Sequence, residues 1–131
     1  NTGWSAEMRV GEFLKNAGWD VSWVARMSYG YDLEAERKTT AGAMETRRIE
    51  VKSSLGKCNP VFTQNEWVMA EEFGSEYWLA IVPNFSSTSK VVPTIHWIQD
   101  PFNNLKPKPS TIKQYRINSA DWKSCSGGFQ P

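Results

Sequence analysis

Gly30-Tyr31-Asp32-Leu33 and Ile49-Glu50-Val51-Lys52-Ser53 are the two stretches on which the fold turns. Each reads as part of a strand, and side chains along a strand alternate between its two faces. In the first, Tyr31, Leu33 and Ala35 are expected on one face, with Asp32, Glu34 and Glu36 on the other. In the second, Ile49 and Val51 share one face, and Arg48, Glu50, Lys52 and Ser54 share the opposite one. Glu50 and Lys52 then stand roughly 6.6 Å apart by strand rise. If the strands pair through the turn around Gly42, Asp32 comes to lie beside Glu50. Two close carboxylates repel each other and hold their protons more tightly unless a cation is shared. Mg²⁺ takes few carboxylates and keeps waters, which suits such a pair. Lys52 could then orient or deprotonate a water, or stabilise charge on a phosphate. A simpler explanation is a solvent-facing strand pair with mixed charges.

Working outward, Val10, Phe13, Leu14 and Ala17 recur at helical spacing and predict a helix over about Ser5 to Ala17, with Ser5 as N-cap and Gly18 as stop. On that helix Glu7 flanks the buried face, whereas Glu12 points to solvent. Glu7 is therefore the helix acid that could reach the sheet edge. An acid in a first helical turn also has a plain explanation in the helix macrodipole. Strands are expected over Trp19 to Arg26, Tyr31 to Arg37 and Thr46 to Ser53, joined by connections too short for crossovers and so forming an antiparallel meander. Thr63-Gln64-Asn65-Glu66 fits a capping box and predicts a helix to about Phe73, ended by Gly74. The apolar run Tyr77 to Val82 follows that helix and can therefore lie parallel to the third strand. Val91 to Ile98 and Ile112 to Ile117 read as later strands, with a short helical turn over Asp100 to Leu105. The order αβββαβ plus C-terminal strands describes a chain of the α/β (α+β) class, with a mixed central sheet flanked by helices.

Length and composition bound the rest. The 131 residues, 40% apolar and 22% charged, suit one globular domain, 1–131. A first residue other than Met suggests a piece excised from a larger protein. No apolar run is long enough for a membrane span, so no membrane partner is expected, and the setting reads as intracellular. Two cysteines without a nearby histidine make a poor zinc site, and read as free thiols in a reducing compartment. His96 is the one histidine, in an apolar run that favours a structural place. The net charge of +1 neither demands nor excludes nucleic acid. Beyond Asp100, however, Lys106, Lys108, Lys113, Arg116 and Lys123 face only Asp100 and Asp121, and such a segment is either a solvated surface or a phosphate contact.

The residues together resemble the restriction-endonuclease-like superfamily with the PD-(D/E)XK signature, and within it the C-terminal domain of NO VEIN-type proteins. The resemblance runs through Ala6-Glu7, Gly18-Trp19-Asp20-Val21, Gly30-Tyr31-Asp32-Leu33, Ile49-Glu50-Val51-Lys52-Ser53, Phe62 to Trp67 with Ala70, Tyr77-Trp78-Leu79, Asp100-Pro101 and Tyr115 to Trp122. It implies a nuclease that hydrolyses DNA phosphodiesters with Mg²⁺ or Mn²⁺, in a restriction or defence system, beside other domains or subunits such as a helicase or ATPase. By motif position Asp32 and Glu50 become metal ligands, Lys52 the catalytic lysine, and Glu7 a helix acid of the metal shell. Tyr31 stands where the signature has proline. Gln64, Ser54 and Lys57 are candidate substrate contacts, although Gln64 equally suits a surface role. Glu66 is accounted for by the capping box, Glu34 and Glu36 by flanking charge, and Trp67 by the core. The competing function is a non-catalytic nucleic-acid-binding or assembly module on the same fold. A weaker third is a protein-interaction domain whose exposed tryptophans make the contacts.

Overall fold

The hairpin between the second and third strands sets the centre of the sheet. Thr39 N–H donates to the Ala43 carbonyl, and Ala43 N–H to Thr39 Oγ1. This turn closes β2 (Leu33–Lys38) onto β3 (Met44–Ser53) in antiparallel register, Leu33 opposite Ile49. The computed structural model describes residues 2–110 and 114–131. The helix α1 (Thr2–Asn16) leads into β1 (Asp20–Trp23), which pairs antiparallel with β2. A short strand, β4 (Val61–Thr63), precedes α2 (Gln64–Phe73). After that crossover β5 (Tyr77–Val82) lies parallel to β3, and β6 (His96–Gln99) returns antiparallel beside it. The main sheet thus runs β1-β2-β3-β5-β6. The turn α3 (Pro101–Asn104), the strands β7 (Lys108–Pro109) and β8 (Gln114–Arg116), and α4 (Ser119–Cys125) complete the described chain. β8 pairs with both β4 and β7 to make a second, three-stranded sheet.

The period-2 pattern explains the two cores. Leu33, Ala35, Ile49, Val51, Trp78, Ala80 and Val82 turn toward α1 and pack on Ala6, Val10 and Leu14. The alternate residues Tyr77, Leu79 and Ile81 turn the other way, toward Phe62, Trp67, Ala70, Ile117 and Trp122. Every residue of β5 is buried, as a strand covered on both faces requires. Gly11 sits where α1 crosses β1, and a Cβ there would collide with the Trp23 ring. The Thr63–Glu66 capping box forms in full. Trp67 is core, stacked against Tyr115 and edge-on to Phe62. Among the described residues no helix is long and apolar enough to cross a membrane.

Several expected boundaries move. The first helix begins at Thr2, so Ser5 lies inside it and is not its N-cap. Serine costs little within a helix, and Trp4 and Ala6 let the helix extend back past it. The first strand ends at Trp23, opposite Leu33 where β2 starts, and one further bond, from Val24 N–H to the Asp32 carbonyl at 2.8 Å, closes the pairing. Ala25–Met27 form a 3-10 turn instead. Tyr31 does not share a face with Leu33: it precedes the strand and packs in the second core against Phe73 and Tyr77. The strand expected from Val91 begins only at His96, since Pro93 has no N–H to donate, and Val91 and Val92 lie exposed. The strand expected from Ile112 is seen over Gln114–Arg116, its first two residues lying outside those described. Three short elements carry too little pattern to be expected: β4, β7 and α4. The last has a cap signal in hindsight, Asn118 Oδ1 accepting from Asp121 N–H at 3.0 Å.

Candidate active site

The site forms where β2 ends and β3 continues. Val51 lies two residues past the last β2–β3 pair, so its N–H has no strand carbonyl opposite. Asp32 Oδ2 accepts it at 2.8 Å, in place of a ladder bond. The backbone that presents Asp32 is pinned from below, Tyr77 Oη donating to the Gly30 carbonyl at 2.7 Å in the interior. Gly30 itself has φ +88°, and a Cβ there would meet Met69 Cγ at 2.5 Å and the Asn65 carbonyl at 3.1 Å. Only glycine fits so close to α2 in that conformation.

Glu50 and Lys52 rise from β3 on the face toward α2. Glu50 is 3% exposed, among the few buried charged residues. Its Oε2 meets Lys52 Nζ at 3.1 Å, while its Oε1 is buried with no hydrogen-bond partner among the described residues. Lys52 Nζ is also 2.9 Å from Glu66 Oε1 and lies over the Phe62 ring. That same Glu66 oxygen accepts Thr63 N–H at 2.9 Å. The residue that caps α2 therefore also holds the lysine. Glu7 approaches from α1, half-buried and close enough to feel the charge on Asp32.

The electrostatics follow from crowding acids out of water. Burial, with Asp32 beside it, raises the Glu7 carboxyl to about 7. Burial also raises Asp32, with the Val51 N–H and Lys52 working against it. Glu50 is pushed well above the ordinary carboxylate range by burial, against the pull of Lys52. For Lys52, burial acts to lower the pKa, but Glu50 and Glu66 outweigh it and the group stays an ammonium ion. Asp32, Glu50 and Glu66 thus share one cation, Lys52.

Asp32, Glu50, Thr63, Asn65 and Glu66 line an open cleft of about 210 Å³, with Gly30 and Tyr31. The structure brings Asp32, Glu50 and Lys52 close to one another, with Glu7 near Asp32. It does not bring the three candidate substrate contacts to this cleft. Gln64 is exposed on the first turn of α2. Ser54 Oγ donates to the Gly56 carbonyl at 2.7 Å, closing its own loop. Lys57 lines a separate depression with His96 and Lys123. Glu66 is the member that sequence reasoning assigned to capping alone. Nothing in spacing links position 66 to position 52, because the contact is made across the β3–α2 packing. Among the described residues no three His, Cys, Asp or Glu side chains form a ready metal cage. Cys58 and Cys125 are free, one buried and one exposed.

The family model described as the C-terminal region of protein NO VEIN matches residues 6–95, a span that includes Glu7, Asp32, Glu50, Lys52 and Glu66. No curated protein matches the chain. Among solved structures it is similar to Hjc, a Holliday junction resolvase from the archaeal hyperthermophile Archaeoglobus fulgidus. The two share 17% identity and a TM-score of 0.59, over 92% of this chain and 94% of that one. At that identity the likeness is one of fold. More than half of the chain lies within the family match, so it belongs to the NO VEIN C-terminal family, built on a restriction-endonuclease-like fold.

Proposed function

We propose that this domain is a divalent-metal-dependent nuclease that hydrolyses DNA phosphodiester bonds. The observation that carries the reading is Glu50 Oε1, a carboxylate oxygen buried on the cleft wall with no hydrogen-bond partner among the described residues. A buried charge left unpaired is costly, and a cation resolves that cost. Asp32 is the second ligand: one of its oxygens is fixed by the Val51 N–H, which orients the other. Two carboxylates completed by water match the habits of Mg²⁺ and Mn²⁺ better than a closed cage does. Bound there, the ion supplies a more acidic water and offsets charge on the scissile phosphate.

The chain's own groups do the rest. Asp32 and Glu50 hold the ion, and Glu7, on α1, adds its charge beside Asp32. Lys52 acts as an ammonium ion, not a base, because its neighbours keep it protonated. It orients the attacking water and stabilises the charge that builds on the phosphoryl oxygens. The solved relative, by its name, resolves Holliday junctions, which supports DNA as the substrate class. An intracellular restriction or defence role beside a helicase or ATPase is the setting the family resemblance suggests.

The test is cleavage of linear, branched and plasmid DNA with millimolar Mg²⁺ or Mn²⁺. Asp32→Asn, Glu50→Gln and Lys52→Met are each expected to lose at least ~10²-fold in rate while remaining folded. Undiminished cleavage in all three contradicts the assignment. DNA binding by the wild type without any hydrolysis turns the reading to a non-catalytic binding module.

A further inference from the structure

The small β4-β8-β7 sheet places like charges face to face. Lys108 on β7 pairs directly with Arg116 on β8, so their side chains leave the same face. Like charges opposite one another destabilise a ladder, and this ladder is only two pairs long. Lys106 joins them, and the three cations line a cleft of about 410 Å³ with Asn118 and Asp121. Asp121 is the single acid there, and its Oδ2 is engaged by the Lys106 backbone N–H at 2.9 Å. Among the described residues none of the three cations forms an ion pair. Repulsion is thus retained where an acid could have relieved it, which is the arrangement a bound anion would satisfy.

The position of this cleft indicates which anion. Val61 pairs with Arg116, and Thr63 pairs with Gln114 on the same two strands. Thr63 lines the carboxylate cleft. The basic and acidic clefts are therefore joined by two residues of β4, roughly 6.6 Å of strand. A polyanion with regularly spaced charges can occupy both, and duplex DNA carries a charge about every 1.7 Å along its axis.

We infer that Lys106, Lys108 and Arg116 form a phosphate-backbone clamp that holds duplex DNA beside the carboxylate cleft. The inference rests on DNA as the substrate proposed above, but not on hydrolysis. Its test is binding of labelled duplex DNA without metal, followed by fluorescence anisotropy across a salt series. Replacing all three by glutamine is expected to weaken binding at low salt at least ~10-fold. The plot of log affinity against log salt should become shallower by roughly 2 to 3, as loss of about three phosphate contacts requires. Lys108→Glu creates an attractive pair with Arg116, so its Tm should rise while its DNA affinity falls. Unchanged affinity and slope in the triple variant overturn the clamp, as does a wild type that binds no duplex. A wild type that binds through these residues but never cleaves with metal overturns the nuclease reading and supports the clamp. A protein that cleaves, with the triple variant binding as the wild type does, overturns the clamp alone.

Discussion

β3 buries one charge on each face of the sheet, and the two are treated in opposite ways. Arg47, 6% exposed, points toward α1. Its guanidinium lies 4.5 Å from the Trp19 ring and 4.4 Å from Trp78, with Glu45 at 3.4 Å. Its Nη1 lacks a hydrogen-bond partner among the described residues, but the ring faces around it attract a cation. Glu50, three residues on and facing α2, has Lys52 on one oxygen and, among the described residues, no hydrogen-bond partner on the other. Arg47 has no neighbouring cleft among those described, whereas Glu50 lines one. A buried charge enclosed by aromatic faces belongs to the scaffold. A buried charge with an unpartnered oxygen on a cleft wall is what the proposed metal chemistry would use.

Mutation should separate the two residues. Glu50→Gln carries the largest expected effect, a loss of at least ~10²-fold in cleavage. Its metal-free stability should hold or rise, because a buried charge with one unpartnered oxygen has been removed. Chemical denaturation alongside a cleavage assay reads both. Arg47→Ala should do the reverse, losing about 2–4 kcal/mol of stability with its packing and cation–π contacts, while the cleavage rate per folded molecule stays near wild type. Arg47→Met, which keeps the volume, should recover most of that loss. Strong loss of cleavage in a folded Arg47 variant would erase the distinction between the faces.

Glu66 tests the boundary between scaffold and chemistry, since one of its oxygens serves both the α2 cap and Lys52. Glu66→Ala should cost about 1 kcal/mol through the cap. It should also slow turnover with little change in KM, because Lys52 loses its outer tether. Glu66→Gln keeps an oxygen for the cap and should recover the stability more fully than the turnover. A parallel fall of both in the two variants would assign Glu66 to the scaffold alone.

The smallest effect is on pH dependence. The Glu7 carboxyl rises from an ordinary 4.5 to about 7 on folding. A raised acid stabilises the fold fully below its unfolded pKa and loses that contribution as the pH climbs through the folded value. The metal-free Tm should therefore fall between about pH 4.5 and 7. Glu7→Gln should flatten that fall, and millimolar Mn²⁺ should oppose it by taking the place of the proton.

The strand pattern made much of this legible. Alternation along β3 was enough to put Glu50 and Lys52 on one face and Ile49 and Val51 on the other. The capping box located α2, and the crossover argued for the parallel β3–β5 pairing. Alternation misplaces Tyr31 because it extends back past Leu33, where the β2 ladder begins, to a residue next to Gly30, whose φ is positive. Glu66 was read for capping alone, because a local hydrogen bond accounted for it and its contact with Lys52 is tertiary. The second sheet was hidden by strands of two or three residues, too short for any period to register. The exposed-tryptophan reading is left with Trp4, which is exposed, since Trp19, Trp67, Trp78, Trp97 and Trp122 are buried and Trp23 partly so.

The central claim is that Glu50 and Asp32 together hold a cation. Thermal unfolding of the wild type, Glu50→Gln and Asp32→Asn across a Mn²⁺ titration tests it most directly, without requiring a substrate. A ligand that binds only the folded state raises Tm with its concentration. The account predicts a concentration-dependent rise for the wild type at millimolar Mn²⁺, and little or none for either variant. A wild type indifferent to Mn²⁺, or an equal rise in all three proteins, would contradict it.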